Sequence, residues 1–391
     1  MYRFKVSAPG TMLLCGQRNK TCVAAGLDMR TVLTFSSFPT KVVRRDFIEI
    51  NFSSIQLHMK IPLRIFLLYF YNKNYDYADK RCMLLRTVKN FITFLTGFPG
   101  NYEPSNHAHQ LSLQAFFFLL VSISYKKGII IKSSFIVILS TELPIGEGLG
   151  SSASFVVCLA ACFWRWSLLQ KGKVRYRFKS KDLIYISEYA YICDNIVFNS
   201  STIIDIIIST YGMIKVFKGD TLRSNDFPDV PSMKILLVFS NVSQKIDRSM
   251  ETKVKEHSCS SVDFILNSME TISIKIIHMN QGLLRALGTS HPSLDIICGI
   301  ARDFSLGGKI AATGGGGYAF ILLLPNNSDE YIQDLIKMFE SHNFPAKIAN
   351  LNCSGDIIHM NQGLLKALSM WHPNLDIIPQ LLEVFHSRRS L

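Results

Sequence analysis

The stretch Glu142-Leu-Pro-Ile-Gly-Glu-Gly-Leu-Gly-Ser-Ser-Ala153 constrains this chain more than any other. It follows Ser134-Phe-Ile-Val-Ile-Leu-Ser140, an apolar, β-branched run that predicts a strand. It leads into an apolar stretch from Ser152 to about Leu169 that predicts a buried helix. Gly146, Gly148 and Gly150 remove side chains where the backbone has to turn sharply. Ser151 and Ser152 stand where helix N-cap residues are expected. A strand, a glycine-rich turn and a helix start together aim free N–H groups and the positive end of a helix dipole at one point, a natural seat for phosphate.

The turn is not a Walker A loop, since no Gly-Lys-Ser/Thr closes it, and no acidic residue follows as in a dinucleotide fold. It resembles instead the P-x-G-x-G-L-G-S-S-A loop of the GHMP kinases, small-molecule kinases with a phosphate loop of their own. Other stretches extend the resemblance in order. Ser7-Ala-Pro-Gly10 is similar to the family's S-A-P-G-K opening, with Thr11 in place of the lysine and Gly16-Gln17-Arg18 in place of G-E-H. Asn199-Ser-Ser-Thr-Ile-Ile-Asp-Ile-Ile-Ile-Ser-Thr-Tyr-Gly212 is similar to P-S-G-x-D-x-x-x-S-T-x-G, which sets Asp205 at the position of the catalytic aspartate. Without any family, a charged group inside a run of isoleucines is costly unless it is paired or functional.

Lys309-Ile-Ala-Ala-Thr-Gly-Gly-Gly-Gly-Tyr318 resembles the third family motif, K-x-T-G-A-G-G-G-G, with Ala311-Ala312-Thr313 standing for T-G-A. Four successive glycines before an apolar strand mean close backbone approach. Met279-Asn-Gln-Gly-Leu-Leu-Arg-Ala-Leu-Gly-Thr-Ser-His-Pro-Ser-Leu-Asp295 looks very like a segment of mevalonate kinases that galactokinases and phosphomevalonate kinases do not share in this form. Physically it predicts one helix stopped near Gly288 and another begun at Ser290, with Pro292 in its first turn.

The resemblance implies an α+β, two-domain GHMP kinase fold. A ribosomal protein S5 domain 2-like domain would cover 1–228 and a ferredoxin-like domain 229–350, with a tail over 351–391. It implies ATP-dependent phosphorylation of mevalonate to 5-phosphomevalonate, a step of isoprenoid and sterol biosynthesis. Thr141, Gly146, Glu147, Gly148, Leu149, Gly150, Ser151 and Ser152 would hold the nucleotide. Ser152 and Asp194 would hold Mg²⁺, with Asp194 standing where the family usually has glutamate. Asp205 would accept or orient the hydroxyl proton. Thr11 keeps a hydrogen bond at the lysine's position but no charge, and Arg18 is a candidate substitute. An active mevalonate kinase, a nucleotide-binding pseudokinase and a kinase for another small alcohol are the three readings this leaves. A homodimer is the assembly the family resemblance allows.

Composition narrows the setting. With 391 residues, 48% apolar and 18% charged, the chain has the makings of a large core and is not disordered. Nine cysteines without a C-x-x-C pair fit a reducing compartment, so a cytoplasmic protein is expected; the resemblance allows the peroxisome as well. Cys158 and Cys162, one helical turn apart, suit core packing, and His107 and His109 lack neighbouring ligands for a metal site. The net charge of +13 comes in short groups such as Lys41/Arg44/Arg45 and Lys171–Lys181, without an aromatic-basic platform, so no nucleic-acid partner is expected. Phe116-Phe-Phe-Leu-Leu-Val-Ser-Ile-Ser124 is too short for a membrane span, and Met1 to Val6 enter a strand directly rather than a signal-peptide core. No membrane partner is expected.

One segment occurs twice. Ile276–Ile297 and Ile357–Ile378 match at an offset of 81, with 17 of 22 positions identical. Two copies do not make a solenoid. The second copy follows the place where the fold should finish, and an appended helix pair without catalytic work is expected there.

Overall fold

The structure, a computed structural model, describes residues 2–16, 21–38, 46–71, 81–175, 177–200, 203–218, 224–226, 232–242, 271–286, 288, 290–311, 316–351, 353, 355 and 358–359. Its spine is a pair of long strands, β1 (Tyr2–Gly16) and β2 (Thr21–Ser37), antiparallel from Tyr2↔Ser37 to Gly16↔Cys22. The second strand reaches back as far as Thr21, because Ala24, Ala25 and Leu27 are buried and extend the pairing. The register slips between Pro9 and Thr11 and again between Leu13 and Cys15. Such irregularities re-aim side chains and free backbone groups.

The second strand joins almost everything else. Along Thr31–Ser37 it pairs with β5 (Phe135–Thr141), which runs parallel to β3 (Phe47–Phe52); that strand in turn pairs with β4 (Leu57–Pro62). Along Thr21–Ala25 it pairs with β6 (Ile214–Lys218), whose other neighbour is β7 (Ser224–Asp226). The remaining sheet runs through β8 (Met233–Phe239), β9 (Gly308–Ile310), β10 (Tyr318–Leu322) and β11 (Ala346–Leu351) in the spatial order β11-β8-β10-β9. It meets β2 at one residue pair, Leu27↔Leu351.

Among the described residues six helices serve the first part: α1 (Leu63–Tyr71), α2 (Arg81–Thr93), α3 (His107–Lys127), α4 (Ser151–Gln170), α5 (Ser180–Phe198) and α6 (Ile203–Tyr211). Among these, α3 and α4 are long and apolar enough to cross a membrane, which corrects the expectation that no run reaches that length. Both are core helices of the fold, largely buried by their neighbours. Aromatic rings make that core dense: Phe35 stacks on Phe4 at 5.0 Å and meets Trp166 at 4.8 Å, while Phe116 meets Phe163 edge-on at 5.5 Å. His109 belongs to this packing, with Nε2 bonded to the Ile55 carbonyl at 2.9 Å. Among the described residues no group of three or more His, Cys, Asp or Glu gathers around a point.

Among the described residues three helices cover the second part: α7 (Thr271–Ala286), α8 (Pro292–Asp303) and α9 (Asp329–Ser341). The second of them begins at Pro292, with His291 rather than Ser290 as its cap; the His291 ring nitrogen accepts from Ser293 N–H at 3.2 Å. Ser290 is used sideways instead, donating to Asp295 at 2.8 Å and accepting from Gln281 at 3.0 Å. Buried Gln281 also accepts the Ile310 N–H at 3.1 Å, so the first copy of the repeated segment satisfies the strand leading into the second glycine-rich turn. The helix pair expected of the second copy lies outside the described residues, apart from β12 (Ile358–His359), which pairs with Val6 and Lys5 of β1.

Candidate active site

The irregularity at Pro9 and Thr11 is where the site is built. A bulge leaves strand carbonyls without ladder partners, and two helices take them up. Ser154 of α4 donates its hydroxyl to the Ala8 carbonyl at 2.7 Å, and Ser209 of α6 donates to the Pro9 carbonyl at 3.0 Å. The Thr11 N–H donates to the Leu149 carbonyl at 3.0 Å. Strand, phosphate loop and the two helices are thereby locked to one another within five residues of β1. Neither serine was singled out from the sequence. Ser209 lies inside a motif already noted and Ser154 directly follows one, but only the fold shows that their hydroxyls point at strand carbonyls rather than at a ligand.

The loop between β5 and α4 turns as its glycines predict. Gly146, Gly148 and Gly150 have φ of 80°, 82° and 72°, in the left-handed region. The last of them, not Ser151 or Ser152, is the N-cap of α4. The reason is steric: a Cβ on Gly150 would collide with the Thr11 hydroxyl, so neither serine can be moved into that position. Ser151 instead opens the helix and accepts the Gly146 N–H at 3.3 Å, closing the loop on itself. Leu143 and Leu149 are buried beneath, which fixes the loop to the core and leaves Gly146 and Ile145 exposed at its crest. The N–H groups of the first turn of α4 then face the hollow of the loop, as helix starts require. Thr141 anchors the entry: its hydroxyl accepts from Thr31 at 2.9 Å and from the Leu143 N–H at 3.1 Å.

Asp205 lies in the first turn of α6, half-buried, and its Oδ1 accepts the Thr11 hydroxyl at 2.9 Å. Thr11 is 1% exposed, wedged between Asp205 and Gly150. Thus Thr11, Leu149, Gly150 and Asp205, chosen from three separate motifs, adjoin one another. The second glycine-rich turn reaches the same loop. A Cβ on Gly317 would lie 2.9 Å from the Glu147 carbonyl, and the φ of 80° there also demands glycine. Burial first, and then the Glu147 carboxylate, push the neighbouring Tyr318 hydroxyl above its ordinary pKa. Residues 312–315, Gln17 and Arg18 lie outside the described residues.

Asp194 lies near the end of α5, which packs along α4, and it is 1% exposed. Its presence, after burial itself, raises the Cys193 thiol well above its ordinary value. Ser152 stands in the first turn of α4. Ser152, Asp194 and Asp205 offer oxygen donors only, the chemistry that Mg²⁺ prefers, and few protein ligands suit an ion that keeps water and phosphate oxygens in its shell.

No family model matches the chain. It is 27% identical to a mevalonate kinase of Candida albicans over 393 positions, covering 90% of this chain and 89% of the relative. It is 24% identical to a mevalonate kinase of Homo sapiens, covering 90% and 94%. Among solved structures, the mevalonate kinase of Methanococcus jannaschii superposes with a TM-score of 0.64 at 17% identity, over 89% of this chain and 98% of that one. A galactokinase of Lactococcus lactis complexed with galactose superposes with a TM-score of 0.57 at 13% identity, over 92% and 95%. The architecture is that of the GHMP kinases.

Proposed function

We propose that this chain, a divergent member of the mevalonate kinase branch of the GHMP kinases, transfers the γ-phosphate of ATP to the primary hydroxyl of mevalonate. The observation that carries the reading is the hydrogen bond from Thr11 to Asp205 beside Gly150, which sets a carboxylate at the edge of a phosphate loop. The chain's length agrees with it, since the mevalonate kinases it resembles are covered almost end to end.

The reaction needs positioning and charge neutralisation more than covalent help. The backbone N–H groups of Gly146–Ser152 hold the phosphates, while Gly317 closes over Glu147 and narrows the loop from the other side. Asp205 accepts the hydroxyl proton as the mevalonate oxygen bonds to the γ-phosphorus, and the bond from that phosphorus to the bridging oxygen breaks to release ADP. Ser152 and Asp194 would hold Mg²⁺, which would supply neutralising charge to the phosphates. The family lysine would add a further cation at position 11. Thr11 supplies orientation instead: its hydroxyl donates to Oδ1 and fixes the plane of the carboxylate that faces the substrate hydroxyl. Free thiols at the described cysteines support a reducing compartment such as the cytoplasm.

The deciding experiment measures ADP release from ATP with mevalonate, with galactose and without an acceptor, alongside nucleotide binding. Turnover that requires mevalonate supports the reading. Nucleotide binding without transfer to mevalonate rejects it, and transfer to a different alcohol alone reassigns the substrate.

A further inference from the structure

At the end of α4 remote from the phosphate loop, cations collect on one face. Lys126 and Lys127 close α3, Lys171 follows α4, the connector into α5 carries Lys173, Arg175, Arg177 and Lys179, and Lys181 lies in the first turn of α5. Contacts tie the centre of this face together. Lys127 Nζ lies 4.0 Å over the Trp164 ring and 4.7 Å from that of Tyr185. Trp164 donates to Asp182 at 3.0 Å, and Arg175 pairs with the other Asp182 oxygen at 3.6 Å. Burial first, then Lys171, Lys126 and Lys173, hold the Lys127 ammonium below its ordinary pKa against the opposing pull of Asp182. The lysines therefore repel one another, and an anionic partner would relieve them.

Helix ends explain part of the cluster: cations complement the C-termini of α3 and α4. They do not explain Lys179 and Lys181, which stand at the N-terminal end of α5, where the helix dipole disfavours positive charge. Nor do they explain the apolar side chains among the cations. Ile130, Val174, Ile184 and Tyr185 are between 45% and 58% exposed. Ile130 is held beside Lys171 by Gln170, whose side chain accepts the Ile130 N–H at 2.9 Å and donates to its carbonyl at 2.8 Å. A nucleic-acid footprint would set planar rings open for base stacking. Here the faces of Trp164 and Tyr185 are turned on each other, 5.0 Å apart, and on Lys127. Aliphatic groups rising between cations suit a bilayer, where anionic headgroups lie over an apolar layer.

We infer that this face docks on the surface of an anionic phospholipid bilayer. Lys126, Lys171, Lys173 and Lys181 lie against headgroup phosphates, and Ile130, Val174 and Ile184 enter the layer beneath. The 20 residues of α4 separate this face from the phosphate loop by about 30 Å, so a docked molecule keeps its site open to water. This contact departs from the sequence expectation of no membrane partner, and it requires no spanning segment.

The test is flotation of the full chain with vesicles of phosphatidylcholine alone and of phosphatidylcholine mixed with phosphatidylserine. Binding only to the mixed vesicles, weakened by salt, is expected. The triple variant Lys126→Glu/Lys171→Glu/Lys173→Glu should lose at least about tenfold in affinity. Ile130→Ser/Ile184→Ser should lose several-fold while keeping its salt dependence. All five positions but Ile130 and Ile184 are exposed lysines outside the core, and thermal melting checks that each variant is folded. Equal binding to both vesicle types, no binding to either, or a triple variant that floats like wild type would overturn the inference. So would binding to a single-stranded oligonucleotide in place of the mixed vesicles.

Discussion

The hydroxyl of Thr11 donates to a carboxylate oxygen of Asp205 at 2.9 Å, joining the bulge of β1 to the first turn of α6 across 194 positions of sequence. The bond fixes one oxygen of the carboxylate and with it the plane of the group. A neutral hydroxyl does this without the positive charge that the family lysine would bring.

Removing that bond while keeping the shape isolates its role. Thr11→Val should lower kcat about tenfold or more and leave KM for ATP nearly unchanged, since a hydrogen bond to a charged group is worth about 1.5 kcal/mol or more. Thr11→Lys should raise turnover, because an ammonium next to Asp205 offsets charge on the transferring phosphoryl group. Asp205→Asn should lower kcat by about a thousandfold with nucleotide binding retained. Steady-state kinetics of the three variants, with nucleotide binding measured separately, check these outcomes.

Two glycines of the loop should respond differently to alanine. Gly150→Ala meets the Thr11 hydroxyl and a φ of 72°, so it should destabilise the fold by about 2 kcal/mol or more and disturb Asp205 as well. Gly146 has nothing within 4 Å of its missing Cβ. There alanine costs only the left-handed backbone, about 1 kcal/mol, and its effect should appear as a raised KM for ATP. Denaturant unfolding and ATP titration separate the two.

The serines that tie helices to the bulge should matter for stability before chemistry. Ser154→Ala and Ser209→Ala each leave a buried carbonyl without its donor, a loss of about 1–3 kcal/mol. Ser209→Ala should also lower kcat, because it frees the helix that carries Asp205. A Ser154→Ala variant with the larger loss of kcat would show that α4, not α6, sets the carboxylate.

Alkaline pH should weaken the fold through its thiols. Burial pushes Cys158 from an ordinary value of 9.0 up to about 12, although Arg30 pulls in the opposite direction. In the folded protein the thiol keeps its proton where the unfolded chain would release it. The stabilisation is complete below about pH 9 and is lost as pH rises towards 12. Melting temperature should therefore fall between about pH 9 and about pH 11, and less steeply in Cys158→Ala.

Much of the site was legible because glycine leaves a mark that survives divergence. Gly146, Gly148 and Gly150 announce left-handed turns, and Asp205 among isoleucines announces a charge with a task. What could not be read was partnership. Thr11 looks like a lost lysine until the fold brings Asp205 within reach, and Ser154 looks like helix filler until Ala8 is found above it. The cap of α4 was misplaced for a related reason: serine is the better cap in isolation, but only glycine fits against Thr11. The helix α4 was legible to within one residue at each end, from Ser152 to about Leu169 against Ser151–Gln170, because its apolar run fills almost its whole length.

The contact of Gly317 with Glu147 also sets an order of assembly. Synthesis proceeds from the N-terminus, so the ribosome releases Thr11, the phosphate loop and Asp205 long before it adds the turn that closes over them. A nascent chain of about two-thirds length thus carries its acid and its phosphate cradle uncovered, and contacts between such distant residues form slowly. Closure of the cradle therefore comes late, once Gly317 has emerged.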